Sequence, residues 1–180
     1  MMGLEKHCAA FRRVWVRLVA VFPVVVALLL VLRPDAMAQD ADPVLTIDYT
    51  GANGAVMRSV SLSREDLHAL PRRQIETRTI WTRGPQRFEG VKIKDLLTHL
   101  GIDQGGLALH ALNDYTVHAP ADLLMQSGAL LADTRNGQPM SPRGKGPVWL
   151  VFDYDSDSAL QTETIYALSV WQLDRIEISR

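Results

Sequence analysis

Punctuation is what most restricts the fold open to this chain. From Leu45 to Ile178 every apolar stretch is short, and turn-forming residues stop each one. Leu45, Ile47 and Tyr49 alternate with polar residues, which is the period of a half-buried strand. Residues 51–54 (GANG) turn the chain, and residues 56–60 return as a hairpin partner. Residues 63–66 (SRED) have the form of a capping box and predict a short helix to Leu70, where Pro71 stops it. Residues 74–82, rich in Thr and Ile, predict one long strand that carries Trp81 at its exit. Residues 91–100 place apolar side chains at 93, 96, 97 and 100, a helical spacing, with Gly101 as C-terminal cap.

The second half continues the pattern. Two strands, residues 107–112 and 115–119, flank an Asn113-Asp114 turn. Asp122 is positioned to cap a helical turn that Gly128 ends, residues 130–133 read as extended, and Asn136-Gly137 is a turn pair. A Gly/Pro loop at 141–147, a continuous apolar strand at 148–152 and an acidic loop at 153–158 follow. Residues 171–178 close the region with Leu173, Ile176 and Ile178 inward. About eight short strands with two or three short helices predict an α+β domain.

The first residues read as an export signal rather than as part of this fold. Arg12, Arg13 and Arg17 precede an apolar run at 18–32, and Ala36-Met37-Ala38 offers a small-x-small cleavage site. A retained membrane anchor is the competing reading of that run, and Arg12-Arg13 leaves both Sec and twin-arginine export open. The expected division is a secretory signal at 1–38, a short tether at 39–43 and a folded domain at 44–180, with a periplasmic product. Cleavage after Ala38 leaves 142 residues with 14 basic and 18 acidic side chains, net −4. That balance speaks against a nucleic-acid partner. The single cysteine, Cys8, lies in the leader, so the remaining chain has no disulfide, thiolate nucleophile or thiolate metal ligand.

Few reaction classes leave a trace. His68, His99, His110 and His118 form no HxxxH or HExxH pair, and no GxSxG is present. No glycine-rich loop precedes a helix, since residues 143–147 (RGKGP) lead into a strand. The acidic residues offer many carboxylate pairs, and the sequence singles out none. What remains is a set of loops with convergent character: Trp81 and Arg83, the turn Asn113, Asp114 and Tyr115, Ser141 and Arg143, and Trp171 before the last strand. A flat heteroaromatic ligand needs a ring to stack on and an amide or carboxylate for its N–H edge, and arginine can serve as a second face. Trp81 is as readable as a core ring, Trp171 reads more as a core ring than as a ligand contact, and Asp114 is as readable as a turn residue.

The run TRTIWTRGPQRFEGVKIKDLL at 77–97 resembles the sulfite-oxidase-type (oxidoreductase molybdopterin-binding) domain, where Phe88-Glu-Gly90-Val91 and Leu96-Leu97 match its motif. LNDY at 112–115, NGQPMSPRGKGP at 136–147 and ETIYALSVWQLDRIEI at 163–178 extend the likeness over about residues 44–179. The resemblance implies a single β-rich mixed-sheet domain with short helices. Enzymes of that family hold molybdenum through a cysteine thiolate at the end of this strand, and Trp81 stands at or beside that position here. The chain is similar to small periplasmic pterin-binding regulators that lack this cysteine. It implies a free pterin as ligand without molybdenum, held by Trp81, Arg83, Asn113, Asp114, Tyr115, Ser141 and Arg143. It also implies a partner, the periplasmic domain of an inner-membrane signalling protein (GGDEF/EAL type) that turns over cyclic-di-GMP and so controls biofilm formation. The alternative is a molybdopterin-dependent oxidoreductase with non-cysteine ligation.

Overall fold

The computed structural model describes residues 42–179; the expected signal at 1–38, the first part of the tether and Arg180 lie outside them. In chain order the elements are strands β1 (Leu45–Thr50) and β2 (Val56–Leu62), helix α1 (Arg64–His68), β3 (Arg72–Thr77), β4 (Gln86–Lys92) and α2 (Ile93–His99). Then come β5 (Gly106–Ala111), β6 (Thr116–Pro120), α3 (Ala121–Gln126), β7 (Leu130–Arg135), β8 (Gln138–Pro139), β9 (Trp149–Val151), α4 (Glu163–Leu168) and β10 (Leu173–Ser179). Among these residues no helix is long and apolar enough to cross a membrane.

The strands form two sheets. One has the order β2-β1-β10-β5-β6, with β1 and β10 parallel and every other pair antiparallel. The other is antiparallel, β3-β4-β7-β8, with β9 also paired to β7. Inward residues of both sheets share one hydrophobic cluster with α2 and α3, including Leu45, Ile47, Phe88, Leu97, Leu109, Leu124, Leu131, Trp149 and Ile176. The expected α+β architecture with a mixed sheet and short helices stands, with ten strands where about eight were expected.

Three expectations need correction. The strand expected at 74–82 ends at Thr77, and Trp81 lies in the turn that follows. The Arg78 amide donates to the Asp155 carboxylate at 2.9 Å and the Asp155 amide to Thr77 Oγ1 at 3.1 Å, so the β-ladder is replaced by side-chain bonds there. Residues 86–92 form β4, and the helix expected from Val91 starts at Ile93. Gly90 permits this strand, because a Cβ there would collide with the Leu131 carbonyl across a β-bulge. Asp122 sits in the first turn of α3 without capping it; Pro120 occupies the cap position and makes no side-chain bond. The Ser63 capping box forms as expected.

Asp133 on β7 ties this sheet to α1. Its carboxylate is 1% exposed. Arg72 grips it through two bonds of 2.9 Å, His68 Nε2 lies 2.9 Å away, and the Thr134 hydroxyl donates at 2.7 Å. Arg64 donates to the Asp133 carbonyl at 3.2 Å. Burial pushes the Asp133 carboxyl up, but the bonds from Arg72 and Thr134, the Arg72 charge and the His68 contact outweigh it and hold the group below its ordinary value.

Candidate binding site

Residues 78–85 join β3 to β4 and carry Trp81. The Trp81 amide donates to Thr79 Oγ1 at 3.2 Å, and Thr79 Oγ1 is 2.8 Å from Thr82 Oγ1, so the turn fixes the ring's direction. The ring is half-buried and meets four others in edge-to-face contacts: Trp171 at 5.4 Å, Tyr166 at 5.8 Å, Trp149 at 6.0 Å and Tyr154 at 6.4 Å between centroids. Such contacts put the positive edge of one ring on the negative face of another. Trp81 is therefore packed against the core and also lines an opening to solvent.

The deeper rings have their polar atoms satisfied. Trp149 Nε1 donates to the Ser169 carbonyl at 3.2 Å. The Tyr154 hydroxyl donates to Ser169 Oγ at 2.6 Å, and Ser169 Oγ donates to the Ile165 carbonyl at 2.7 Å. Burial pushes the Tyr154 phenol up to about 12, so it stays a neutral donor at ordinary pH. Lys145 has a left-handed backbone, φ 76°. Its ammonium sits 3.9 Å from the centre of the Trp171 ring and 5.1 Å from that of Trp149. Burial and, after it, the Arg135 charge push this amine below its ordinary value. The Lys145 carbonyl accepts the Gln172 amide at 2.9 Å, and Gln172 Nε2 donates to the Pro142 carbonyl at 2.6 Å, which stitches residues 141–147 to the Trp171 segment.

The opposite wall is the hairpin turn between β5 and β6. Asp114 adopts φ 65°, a region that Asp tolerates better than most residues. Asn113 Oδ1 accepts the Tyr115 amide at 3.3 Å, and the Tyr115 hydroxyl donates to the Ala167 carbonyl at 2.9 Å. Between the walls lies a cavity of about 200 Å³ lined by Trp81, Asn113, Tyr115, Tyr166, Ala167, Ser169, Val170 and Trp171. No charged side chain lines it.

Of the residues singled out from sequence, the structure brings Trp81, Asn113, Tyr115 and Trp171 onto one cavity. Arg83, Asp114, Ser141 and Arg143 are exposed and do not line it. Tyr166, Tyr154, Trp149 and Lys145 were missed. Tyr166 belongs to α4, whose start was signalled by Thr162: its hydroxyl accepts the Ile165 amide at 3.3 Å. His110 and His118 lie on one face of the β5–β6 pair as diagonal neighbours, since His110 pairs with Thr116 and His118 with Ala108. Among the described residues no group of three or more His, Cys, Asp or Glu could hold a metal ion.

The two sheets and the short helices make an α+β domain with this cavity at the end of the β5–β6 hairpin. Two known proteins are similar to it. The sulfane dehydrogenase SoxCD from Paracoccus pantotrophus has a similar fold, with a TM-score of 0.53 and 17% identity, covering 77% of this chain and 38% of that one. The uncharacterized oxidoreductase YuiH of Bacillus subtilis (strain 168) is 32% identical over 107 residues, 56% of this chain and 54% of YuiH. The chain thus spans about half the length of the curated relative it matches. No protein-family model matches it.

Proposed function

We propose that this chain is a periplasmic pterin-binding protein without catalysis of its own, a sensor for a membrane-bound cyclic-di-GMP enzyme. The observation that carries the reading is the wall of the cavity: aromatic rings from Trp81, Tyr115, Tyr166 and Trp171 with the Asn113 amide, and no charged side chain. Rings offer a flat heterocycle stacking and edge contacts, each contributing about 0.5–1.5 kcal/mol beyond the area buried. The Asn113 amide nitrogen can meet the ring's polar edge. Asp114 stands next to it at the mouth, where a carboxylate can accept the adjacent N–H donors of an aminopyrimidinone. Arg83, Ser141 and Arg143 are the exposed groups available to substituents that reach out of the cavity.

A molybdenum centre does not fit these residues. The only cysteine in the chain is Cys8, so the loop that carries Trp81 offers no thiolate, and the cavity walls hold no histidine or carboxylate in its place. A soft metal centre without such donors has no anchor. In this reading the Trp81 ring takes up that space instead. A bound pterin has a use only if something reads it, and a ligand biases a partner only by favouring one complex over another. The periplasmic domain of a GGDEF/EAL-type protein is the reader proposed here.

Titration calorimetry with oxidised and reduced pterins tests the reading, together with mass spectrometry of what co-purifies from the periplasm. Binding that Trp81→Ala weakens at least about tenfold is the expected result. No pterin bound, and none co-purified, overturns it. The likeness to YuiH favours a second reading, an oxidoreductase with non-cysteine ligation. Near-stoichiometric molybdenum in protein made by a host that supplies the cofactor would select that one.

A further inference from the structure

We propose that Lys145 and Arg135 form an oxyanion-binding subsite beside the aromatic cavity, so that the ligand held there carries a carboxylate or phosphate substituent. The second half of that statement rests on the heterocycle reading of the cavity; the subsite itself does not. Different elements bring the two cations together. Arg135 ends β7 directly opposite Phe88 on β4, and directly opposed residues share a face of the sheet, so Arg135 stands on the core side with the buried Phe88. The Phe88 ring is 5.3 Å from Trp149, and the Lys145 ammonium is 5.1 Å from that same Trp149 ring. The loop that carries Lys145 closes onto the end of this sheet: a Cβ at Gly146 would collide with the Met140 carbonyl, and the Met140 amide donates to the Asp133 carbonyl at 2.8 Å. After burial, the Arg135 charge is what pushes the Lys145 amine down, which agrees with this placement.

Neither cation is neutralised. Among the described residues neither takes part in an ion pair. Residues 134–152 contain no acid, and Asp133, two positions before Arg135, is committed to Arg72 and His68. The ring faces of Trp149 and Trp171 stabilise the Lys145 charge but give its N–H groups no oxygen acceptor. Lys145 also holds φ 76° between two glycines, where a third glycine would be unstrained, so the side chain is what this position supplies. Two half-buried cations side by side repel each other, and one oxyanion between them meets both, with the guanidinium as a fork and the ammonium as a point charge. The Trp171 ring joins this subsite to the cavity: it lines the cavity, and the ammonium lies 3.9 Å from its centre. A substituent that passes the edge of this ring leaves the uncharged cavity and meets the cations.

Calorimetric titration with pterin-6-carboxylate and the neutral 6-hydroxymethylpterin is the test. The parent should bind the acid at least about tenfold more tightly, the size of one charge-assisted bond. Lys145→Gln and Arg135→Gln should each cut that preference by about threefold or more, and the double variant should abolish it, with affinity for the neutral pterin held within about threefold throughout. Lys145→Arg should keep the preference, because it keeps the charge. Equal affinity of the parent for the two pterins overturns the proposal, and so does a preference that survives the double variant. If the double variant does not fold, the single variants decide by the same comparison. If neither pterin binds, the heterocycle reading fails and inorganic phosphate tests the subsite alone. Phosphate should change the tryptophan fluorescence of the parent along a saturating curve, since the Lys145 ammonium lies over two tryptophan rings, and the variants should lose that response. No saturating response in the parent, or one that the variants keep, overturns the subsite.

Discussion

The Asp133 cluster and the Trp81 cluster are both dense, both join several elements, and finish differently. Around Asp133 each carboxylate oxygen has two partners and the backbone carbonyl has its own, so the group is closed. Around Trp81 the rings satisfy one another on the inner side and leave a cavity with an unspent amide on the outer side. A cluster that completes its own bonding holds elements together. One that stops short leaves interactions for another molecule. Charge alone does not mark the open cluster: the most heavily charged one is the closed one.

The largest effect that separates the two is on stability. Asp133→Ala strands Arg72 and should cost about 3–5 kcal/mol of unfolding free energy in a denaturant titration, with the fluorescence of the aromatic cluster unchanged in the surviving native state. If the cavity rings shift as well, the two regions are one cooperative unit and the comparison fails.

Acid should act on the same group. The folded Asp133 carboxyl lies below its ordinary value, so its contribution is present above the unfolded value of about 3.9 and is lost as pH falls through the folded one. Parent protein should therefore lose stability below about pH 4 by more than Asp133→Ala does, and melting curves at a series of pH values check this.

Trp81→Ala should cost about 2–3 kcal/mol, less than a fully buried tryptophan because the ring is half-buried, and should remove the proposed ligand affinity altogether or reduce it at least about tenfold. Loss of stability with unchanged pterin affinity would move Trp81 to the closed class. Tyr154→Phe deletes only the hydroxyl bond to Ser169 and should cost about 1 kcal/mol. In the parent, ultraviolet titration should find one tyrosine still unionised until pH about 12. His68→Ala, at the exposed side of the Asp133 cluster, should stay below about 1 kcal/mol in the same denaturant titration.

The hairpins, the Ser63 capping box and the turns at Asn113 and Asn136 were legible because each depends on residues close in sequence. Strand β4 was not. Its segment QRFEG mixes charge with a glycine and reads as loop, and the need for Gly90 arises from the Leu131 carbonyl, forty-one positions away. The early end of β3 was hidden for a similar reason: Asp155, far along the chain, takes the amide that would have continued the ladder. At the cavity, Trp81, Asn113, Tyr115 and Trp171 stood out as polar-loop aromatics and turn residues. Lys145 did not, because in a Gly/Pro loop a lysine reads as solvated. The bond between its carbonyl and the Gln172 amide holds the loop beside Trp171, and the ammonium lies over that ring.

The parallel pairing of β1 with β10 sets a schedule for this chain. Thr46 lies opposite Arg175 and Thr50 opposite Ser179, so among the described residues the first strand lies beside the last over five consecutive pairs. Until residues 173–179 have been made, β1 has only the β2 hairpin on one side, and a lone two-stranded hairpin is marginal in water. The five-stranded sheet cannot assemble progressively from its N-terminus. It must wait until residues 173–179 have been made, with Leu45 and Ile47 kept from other chains in the meantime. A truncation that removes β10 should therefore yield an aggregating chain rather than a smaller folded one.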